Sequence, residues 1–238
     1  MWAYCEYATT FDERVVGWRE SLLVPEMTKT SDSQLQRVID RVALPGILFG
    51  HRVISPGDEF SLLPGEMDSF AKVVARSRRS SGAARMVARK LFQQLGRGPD
   101  AIPKAVTGAP IWPKGLVGSL AHDEEIAVAA IAERHDFPSL GIDVEPAEPL
   151  DAELFDMVAT PTERRRISND GVVGRLLFSA KEAVYKAVHP LDGAVLDHQD
   201  IEVWLDAGIA QVRNGRSVKV RFGYGTHIVV LAFPPPER

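Results

Sequence analysis

Apolar residues recur along this chain at two different spacings, and the switches between them mark out its elements. From Glu66 to Leu95 they return every three or four residues, which predicts a helix that stops at Gly96, with Ser80-Ser81-Gly82 as a candidate interruption. The stretch 97–115, RGPDAIPKAVTGAPIWPKG, is too dense in proline and glycine for a long element and reads as an extended, turn-rich loop. Two short apolar runs follow, Ile126 to Glu133 and Ser139 to Val144; joined by Arg134 to Pro138, they suggest an antiparallel pair of strands. A second helix is expected over about Val172 to Val188, with Val173, Leu176, Leu177, Ala180, Val184 and Val188 on its apolar face. From Asp200 onward, IEVWLD, IAQVR, VKVRF and HIVVLAF read as a meander of short strands. Near the start, Thr28 to Ser33 reads as a loop before a short helix at Gln34 to Val42, and the first 35 or so residues show no clear pattern. Helices and antiparallel strands in this order make the fold class α+β.

Composition narrows the function classes. The chain has 238 residues, 45% of them hydrophobic, enough for one large domain or two small ones. A formal net charge of −4 argues against a general nucleic-acid binder. The lone Cys5 can form no internal disulfide, and nothing resembles a thiolate metal site, so a reducing cytoplasm is expected. The N-terminus, MWAYCEYATTFDERVVGW, lacks the basic and apolar regions of a signal peptide, and no run reaches the roughly 18 apolar residues of a membrane span. No internal repeat is evident.

The strand-like GIDVEP raises a chemical question. Asp143 and Glu145 are two residues apart, so in an extended strand both carboxylates leave one face. Such a pair persists if water solvates both, if one keeps its proton, or if a cation holds them together. Glu182, on the second helix and four residues before Lys186, would complete an oxygen-rich set for a hard cation such as Mg2+, provided that helix packs across the strand end. The plainer arrangement has Asp143 capping a turn, Glu145 solvated and Glu182 paired with Lys186 at the surface. On spacing alone the plainer arrangement is the commoner one.

Several stretches resemble one family. FSAKEAVYKA, Phe178 to Ala187, resembles the W/F-S/C-x-K-E-x-x-x-K helix of the 4'-phosphopantetheinyl transferases of the surfactin and enterobactin synthetase type. GIDVEP is similar to that family's G-I-D-x-E strand, GSLAH at 118–122 to its G-S-[IL]-[ST]-H segment, and GAPIWPKG to its G-x-P-x-W-P loop. Upstream, ARMVARKLFQQLG is similar to the G-R-x-C-A-R-x-A-L-x-x-L-G helix and SLLPGE to the L-x-P-x-E lead-in. The matches keep the family's order from about Leu44 to Leu191. The chain departs from the pattern at Ala121, where Ser or Thr is usual, at Ala84, where Gly is usual, and at Ser80-Ser81, where an acidic-aromatic pair is usual.

The resemblance implies transfer of the phosphopantetheine arm of coenzyme A to a serine of an apo acyl or peptidyl carrier protein, releasing 3',5'-ADP. It implies Mg2+, or Mn2+, held by Asp143, Glu145 and Glu182, with Asp143 and Lys186 also at the coenzyme. Glu182 is then the acceptor of the serine proton, directly or through a metal-bound water, and Lys186 sits against the phosphates. Ser119 and His122 are assigned to the coenzyme, His122 at its 3'-phosphate, with Arg78, Arg85, Lys104 and Lys181 as further phosphate contacts. The three arginines of TPTERRRI, Thr160 to Ile167, would suit an acidic carrier. The implied architecture is two pseudo-twofold-related halves, 1–140 and 141–238, each a small antiparallel sheet packed on a long helix, with a single chain complete for catalysis and no role for nucleic acid or membrane. Two other readings stay open: a metal-dependent nuclease or phosphohydrolase, and a non-catalytic protein that binds coenzyme A or a carrier.

Overall fold

Residues 29–70 and 73–235 are described in the computed structural model; Cys5 and the other residues before Lys29 lie outside them. Strand β1 (Ile47–Val53), β2 (Leu116–His122) and β3 (Ile126–Glu133) form an antiparallel sheet in the order β1-β3-β2. β4 (Gly141–Pro146), β5 (Ile201–Trp204), β6 (Ile209–Val212), β7 (Ser217–Tyr224) and β8 (His227–Phe233) form a second, ordered β4-β8-β7-β6-β5. The C-terminal meander is therefore as expected. Helix α1 (Lys29–Val42) precedes β1, and α2 (Pro64–Met67) and α3 (Ala75–Gln94) follow it. Between β4 and β5 lie α4 (Ala152–Val158), α5 (Pro161–Arg166) and α6 (Val173–Asp192). Among the described residues no helix is long and apolar enough to cross a membrane.

The pleat explains how the layers stack. Ile142 and Val144 of β4, with Val229 and Leu231 of β8, pack on Val117, Ala121, Val128 and Ala130 of the first sheet. The intervening residues of β8, Ile228, Val230 and Ala232, join α6 in a separate core. Alternation along a strand thus sends Asp143 and Glu145 to the α6 side. On the other flank, α3 lays Val87, Leu91 and Phe92 against Leu116, Ala129 and Ile131.

Four expectations are corrected. The runs at 126–133 and 139–144 do not pair with each other: β3 is already flanked by β1 and β2, while Asp143 of β4 lies opposite Val230 of β8. A strand buried along nearly its whole length, as β3 is, suits the middle of a sheet covered on both faces, and residues 134–138 carry the chain to the next sheet. The helix expected from Glu66 to Leu95 is two helices, α2 and α3, separated by a 3-10 turn at Asp68–Phe70. Ser80-Ser81-Gly82 does not interrupt α3; these residues are small because the turn Asp58–Ser61 presses on them, and a Cβ on Gly82 would lie 2.1 Å from the Asp58 carbonyl oxygen. The loop expected at Thr28 to Ser33 is helical from Lys29.

Two fully buried glutamates sit on short, proline-led helices, one before each long helix. Glu66 of α2 accepts from the backbone N–H groups of Leu63 and Ile102 and pairs with Arg89 of α3 at 2.9 Å. Glu163 of α5 accepts from the N–H groups of Thr160 and Val203 and pairs with Lys181 of α6 at 2.6 Å. Both pairs tie a long helix to the loops around its sheet.

Helix α6 comes close to β4 at Gly141, where a Cβ would fall 1.8 Å from the Ala183 carbonyl oxygen. Gly141→Ala must push α6 off β4, so its cost should sit at or above the upper end of the about 1–3 kcal/mol typical of overpacking. Urea unfolding monitored by circular dichroism checks this against Gly98→Ala, where the added methyl meets nothing within 4 Å. Equal midpoints for the two variants would show that the crossing is looser than described.

Candidate active site

Helix α6 turns one stripe toward β4. Arg175, Ser179, Glu182 and Lys186 are spaced four, three and four residues apart, so they lie along one side of the helix. Asp143 meets this stripe twice: the Lys186 ammonium is 2.6 Å from its Oδ1, and the Ser179 hydroxyl donates to Oδ2 at 2.8 Å. Lys186 also donates to the Ile142 carbonyl at 3.3 Å. Glu145 pairs with Arg175 at 3.1 Å, and Oε1 of Glu182 lies 2.9 Å from Nε2 of His198. His198 begins a 3-10 turn, His198–Asp200, that folds back over α6.

The three acids sense one another through a poorly solvated space. Burial pushes the Asp143 carboxyl above the usual range against the pull of Lys186, and the Glu182 charge adds to the rise. Burial, then the Asp143 charge, pushes Glu145 up to about 8. Glu182 goes the other way: burial raises it, but the hydrogen bond from His198 and the nearby Lys186 outweigh that and leave it low. Each carboxylate nonetheless faces a cationic or imidazole partner, and among the described residues no three acid, histidine or cysteine side chains close on a single point. The expected convergence of Asp143, Glu145 and Glu182 on one ion is thus not reached by these side-chain positions. Their chemistry still fits a hard divalent cation: all are oxygen donors, and the upward shifts of Asp143 and Glu145 come from burial of the charge first and carboxylate repulsion second, both of which a cation would offset.

The residues assigned to phosphate divide into two groups. His122 ends β2, where burial, with the charges of Lys186 and Lys104, pushes its imidazole down to about 4. Ser119 is buried three residues earlier on the same strand. The Lys104 ammonium lies 4.1 Å from the centre of the Phe70 ring, and burial, then the Arg85 charge, lowers it to about 8. A cavity of about 420 Å³ bordered by Ile54, Arg76, Arg79, Ser80 and His122 opens beside these groups. Among the described residues, the buried Nε of Arg78 has no hydrogen-bond partner.

Two of the assigned contacts are committed elsewhere. Arg85 is 3% exposed, and its guanidinium donates to the carbonyls of Ile102 and Ser81. Lys181 is fully buried and donates to the Val158 and His198 carbonyls at 2.8 Å while pairing with Glu163. It sits one residue from Glu182 but about 100° around the helix, which turns it away from β4. Among the arginines of α5, Arg164 donates to the Asp156 carbonyl, and Arg166 pairs with Glu202 and lies over the Trp204 ring.

Arg175, Ser179, His198 and Glu163 were not anticipated as parts of this site. Arg175 and Ser179 extend the Glu182 and Lys186 stripe backward by helical spacing and are legible once β4 is known to lie there. The capping box Thr160-Pro161-Thr162-Glu163 is a readable signal as well. His198 has none, because its approach depends on how a turn between two elements folds.

Comparisons with known proteins agree across both halves. Residues 66–132 match the family model of the 4'-phosphopantetheinyl transferase N-terminal domain, and residues 139–227 match that of the 4'-phosphopantetheinyl transferase superfamily. The chain is 37% identical to the 4'-phosphopantetheinyl transferase Npt of Nocardia iowensis over 177 residues, 72% of this chain and 80% of that protein. It is 39% identical to the 4'-phosphopantetheinyl transferase Svp of Streptomyces mobaraensis over 159 residues, 64% of this chain and 65% of that protein. It is 37% identical to the 4'-phosphopantetheinyl transferase PptT of Mycobacterium tuberculosis over 145 residues, 59% of this chain and 64% of that protein.

Burying His122 as a neutral ring has a consequence for stability. Between its ordinary value of 6.5 and about 4, the unfolded chain takes up a proton there that the folded chain does not. Stability should therefore fall as pH drops through that window, and His122→Gln should lose less of it. Thermal unfolding at pH 7.5 and 4.5 for both proteins measures the difference; parallel losses would mean that the ring is not held neutral.

Proposed function

The chain belongs to the 4'-phosphopantetheinyl transferase superfamily, and from that membership we propose that it moves the phosphopantetheine arm of coenzyme A onto a serine of an apo acyl or peptidyl carrier protein. The observation that carries the site assignment is the side-by-side arrangement of Asp143, Glu182 and Lys186 where α6 crosses β4. Asp143, Glu145 and Glu182 would hold Mg2+ or Mn2+, which supplies charge neutralisation and in-line orientation for the diphosphate.

The chain's own groups do the rest. The serine oxygen bonds to the phosphorus that carries the pantetheine, the bond from that phosphorus to the bridging oxygen breaks, and 3',5'-ADP leaves with the bonding pair. Glu182 accepts the serine proton; it is kept ionised by His198 and Lys186, so it has a lone pair to offer. Lys186 balances the carboxylates before the coenzyme arrives and is the ammonium nearest the reacting phosphates afterward. His122 and Lys104, at the other end of the cleft, hold the remaining phosphate, with Ser119 and Arg78 behind them. Burial has lowered the pKa of His122 to about 4, so an incoming dianion would favour a proton on the ring, while Lys104, at about 8, stays largely protonated near neutrality. All of these groups come from one chain, as a monomeric enzyme requires; the lone Cys5 suits the cytoplasm, and the halves are taken to meet between residues 140 and 141.

Incubating the protein with coenzyme A, Mg2+ and an apo carrier, then weighing the carrier, tests the reading. The carrier should gain the mass of phosphopantetheine, and chelation should abolish the gain. Nucleic-acid cleavage without transfer would favour a nuclease, and retained coenzyme A with no transfer would favour a binding protein. Glu182→Gln should lower kcat by about 10²–10⁴-fold, the usual share of a general base, and keep the fold; near-normal turnover would remove it from the chemistry. His122→Ala should raise KM for coenzyme A more than it lowers kcat, and an unchanged KM would take it out of the binding site.

A further inference from the structure

We propose that His198 is a positioning residue for Glu182, fixing the direction in which that carboxylate is presented to its ligand; the inference rests on the role given to Glu182 above. His198 Nε2 lies 2.9 Å from Glu182 Oε1. A carboxylate can only accept, so Nε2 carries the hydrogen between them. With Oε1 committed to the ring, Oε2 is the oxygen left for a cation or for the serine proton.

The ring itself is held from several sides. It lies against Phe178, one helical turn before Glu182, with centroids 5.6 Å apart. The backbone carbonyl of His198 accepts from Lys181, the residue before Glu182 on α6, which Glu163 locks in place. The side chain of Gln199 donates to the Met157 and Ala159 carbonyls at the end of α4, and the Asp197 and Asp200 carboxylates cap the turn's own N–H groups. One short turn is thus fastened to α4, α5 and α6, and its imidazole points at Glu182.

Two further facts assign the role to His198 rather than to a neighbour. Lys186, four residues after Glu182, has its ammonium on Asp143 and the Ile142 carbonyl. The contact is also mostly shielded from solvent, at 16% exposure for His198 and 23% for Glu182, which favours one fixed geometry. What it restricts is the set of rotamers open to a long, flexible side chain. Groups that orient a ligating carboxylate from behind tune its function in this way. Positioning needs only the Nε2–H, which the neutral Nε2 tautomer and the imidazolium both supply, so no change of protonation is involved.

The test compares His198→Ala, His198→Leu, His198→Gln and Glu182→Gln in the full chain, reading kcat and KM with an apo carrier and, separately, Mn2+ affinity by electron paramagnetic resonance in the presence of 3',5'-ADP. Loss of the ring should lower kcat by about 10–100-fold and weaken Mn2+ binding by about 10-fold, while KM for coenzyme A moves by less than about 3-fold. Gln, whose side-chain amide N–H can take the place of Nε2–H, should recover most of both. Leu preserves the packing on Phe178 and carries the comparison if Ala disturbs the fold. Wild-type kcat and Mn2+ affinity in a folded Leu or Ala variant would overturn the proposal, as would a loss that Gln does not restore. If Glu182→Gln itself turns over normally, the reading of Glu182 fails instead, and that outcome is distinguishable from failure at His198 alone.

Discussion

The buried contact between Lys181 and Glu163 governs how α6 is rotated, and the rest of the site follows from that rotation. Both side chains are fully buried. All three ammonium hydrogens have acceptors, in the Glu163 carboxylate and the Val158 and His198 carbonyls, and Glu163 takes two backbone N–H groups in addition. Taking two charges out of water costs several kcal/mol per ion, so a pair of this kind is not retained for net stability. Burial lowers the Lys181 pKa even with Glu163 beside it, which shows how strained for solvation the ammonium is. Its geometric effect is larger than its energetic one: with residue 181 pinned toward α4, α5 and the 198–200 turn, residues 175, 179, 182 and 186 have to face β4.

That rotation brings acids and bases into near balance. β4 contributes Asp143 and Glu145 on one pleat face, and α6 contributes Arg175 and Lys186 to meet them and Glu182 to add to them. Glu182 is the member whose partner comes from outside the helix–strand pair. The consequence is a set of carboxylates each held by a partner, Asp143 by Lys186, Glu145 by Arg175 and Glu182 by His198, so a cation would have to compete with those partners. The buried Glu66 contact with Arg89 performs the same anchoring for α3 in the other half, so His122, Lys104 and their neighbours rest on an equally fixed scaffold.

Much of this was legible from spacing, and what escaped was information that spacing does not carry. Helical period exposed most of α3 and all of the functional stretch of α6, and proline and glycine density marked 97–115, which holds only an isolated bridge between Lys104 and Pro110. Period two identifies a strand but not its neighbour, so β3 and β4 were joined by proximity in sequence although they belong to different sheets. The break between α2 and α3 falls where no Gly or Pro announces it, and β1 mixes polar and apolar residues at no clean interval. The family resemblance placed Lys181 at phosphate, but about 100° around the helix from Glu182 its ammonium is buried against Glu163. The partner that explains it, Glu163, is contributed by a different helix.

A further contact joins the first sheet to the second. His227, which opens β8 beside the Glu145 end of β4, has Nε2 3.2 Å from Oδ2 of Asp123, the residue after His122. Asp123 uses its other oxygen to accept from the N–H groups of Glu125 and Ile126, which fixes the β2–β3 turn. The turn carrying the candidate phosphate-binding histidine is therefore tied to the hairpin that borders the carboxylates. A diphosphate with a third phosphate at its far end has a set length, and a cleft whose two ends are fastened together can match that length without adjusting. In this chain Asp123 and His227 meet between the first sheet's turn and β8, Lys181 and Glu163 hold the direction of α6, and Gly141 permits its close approach; these three contacts set the spacing of the candidate groups.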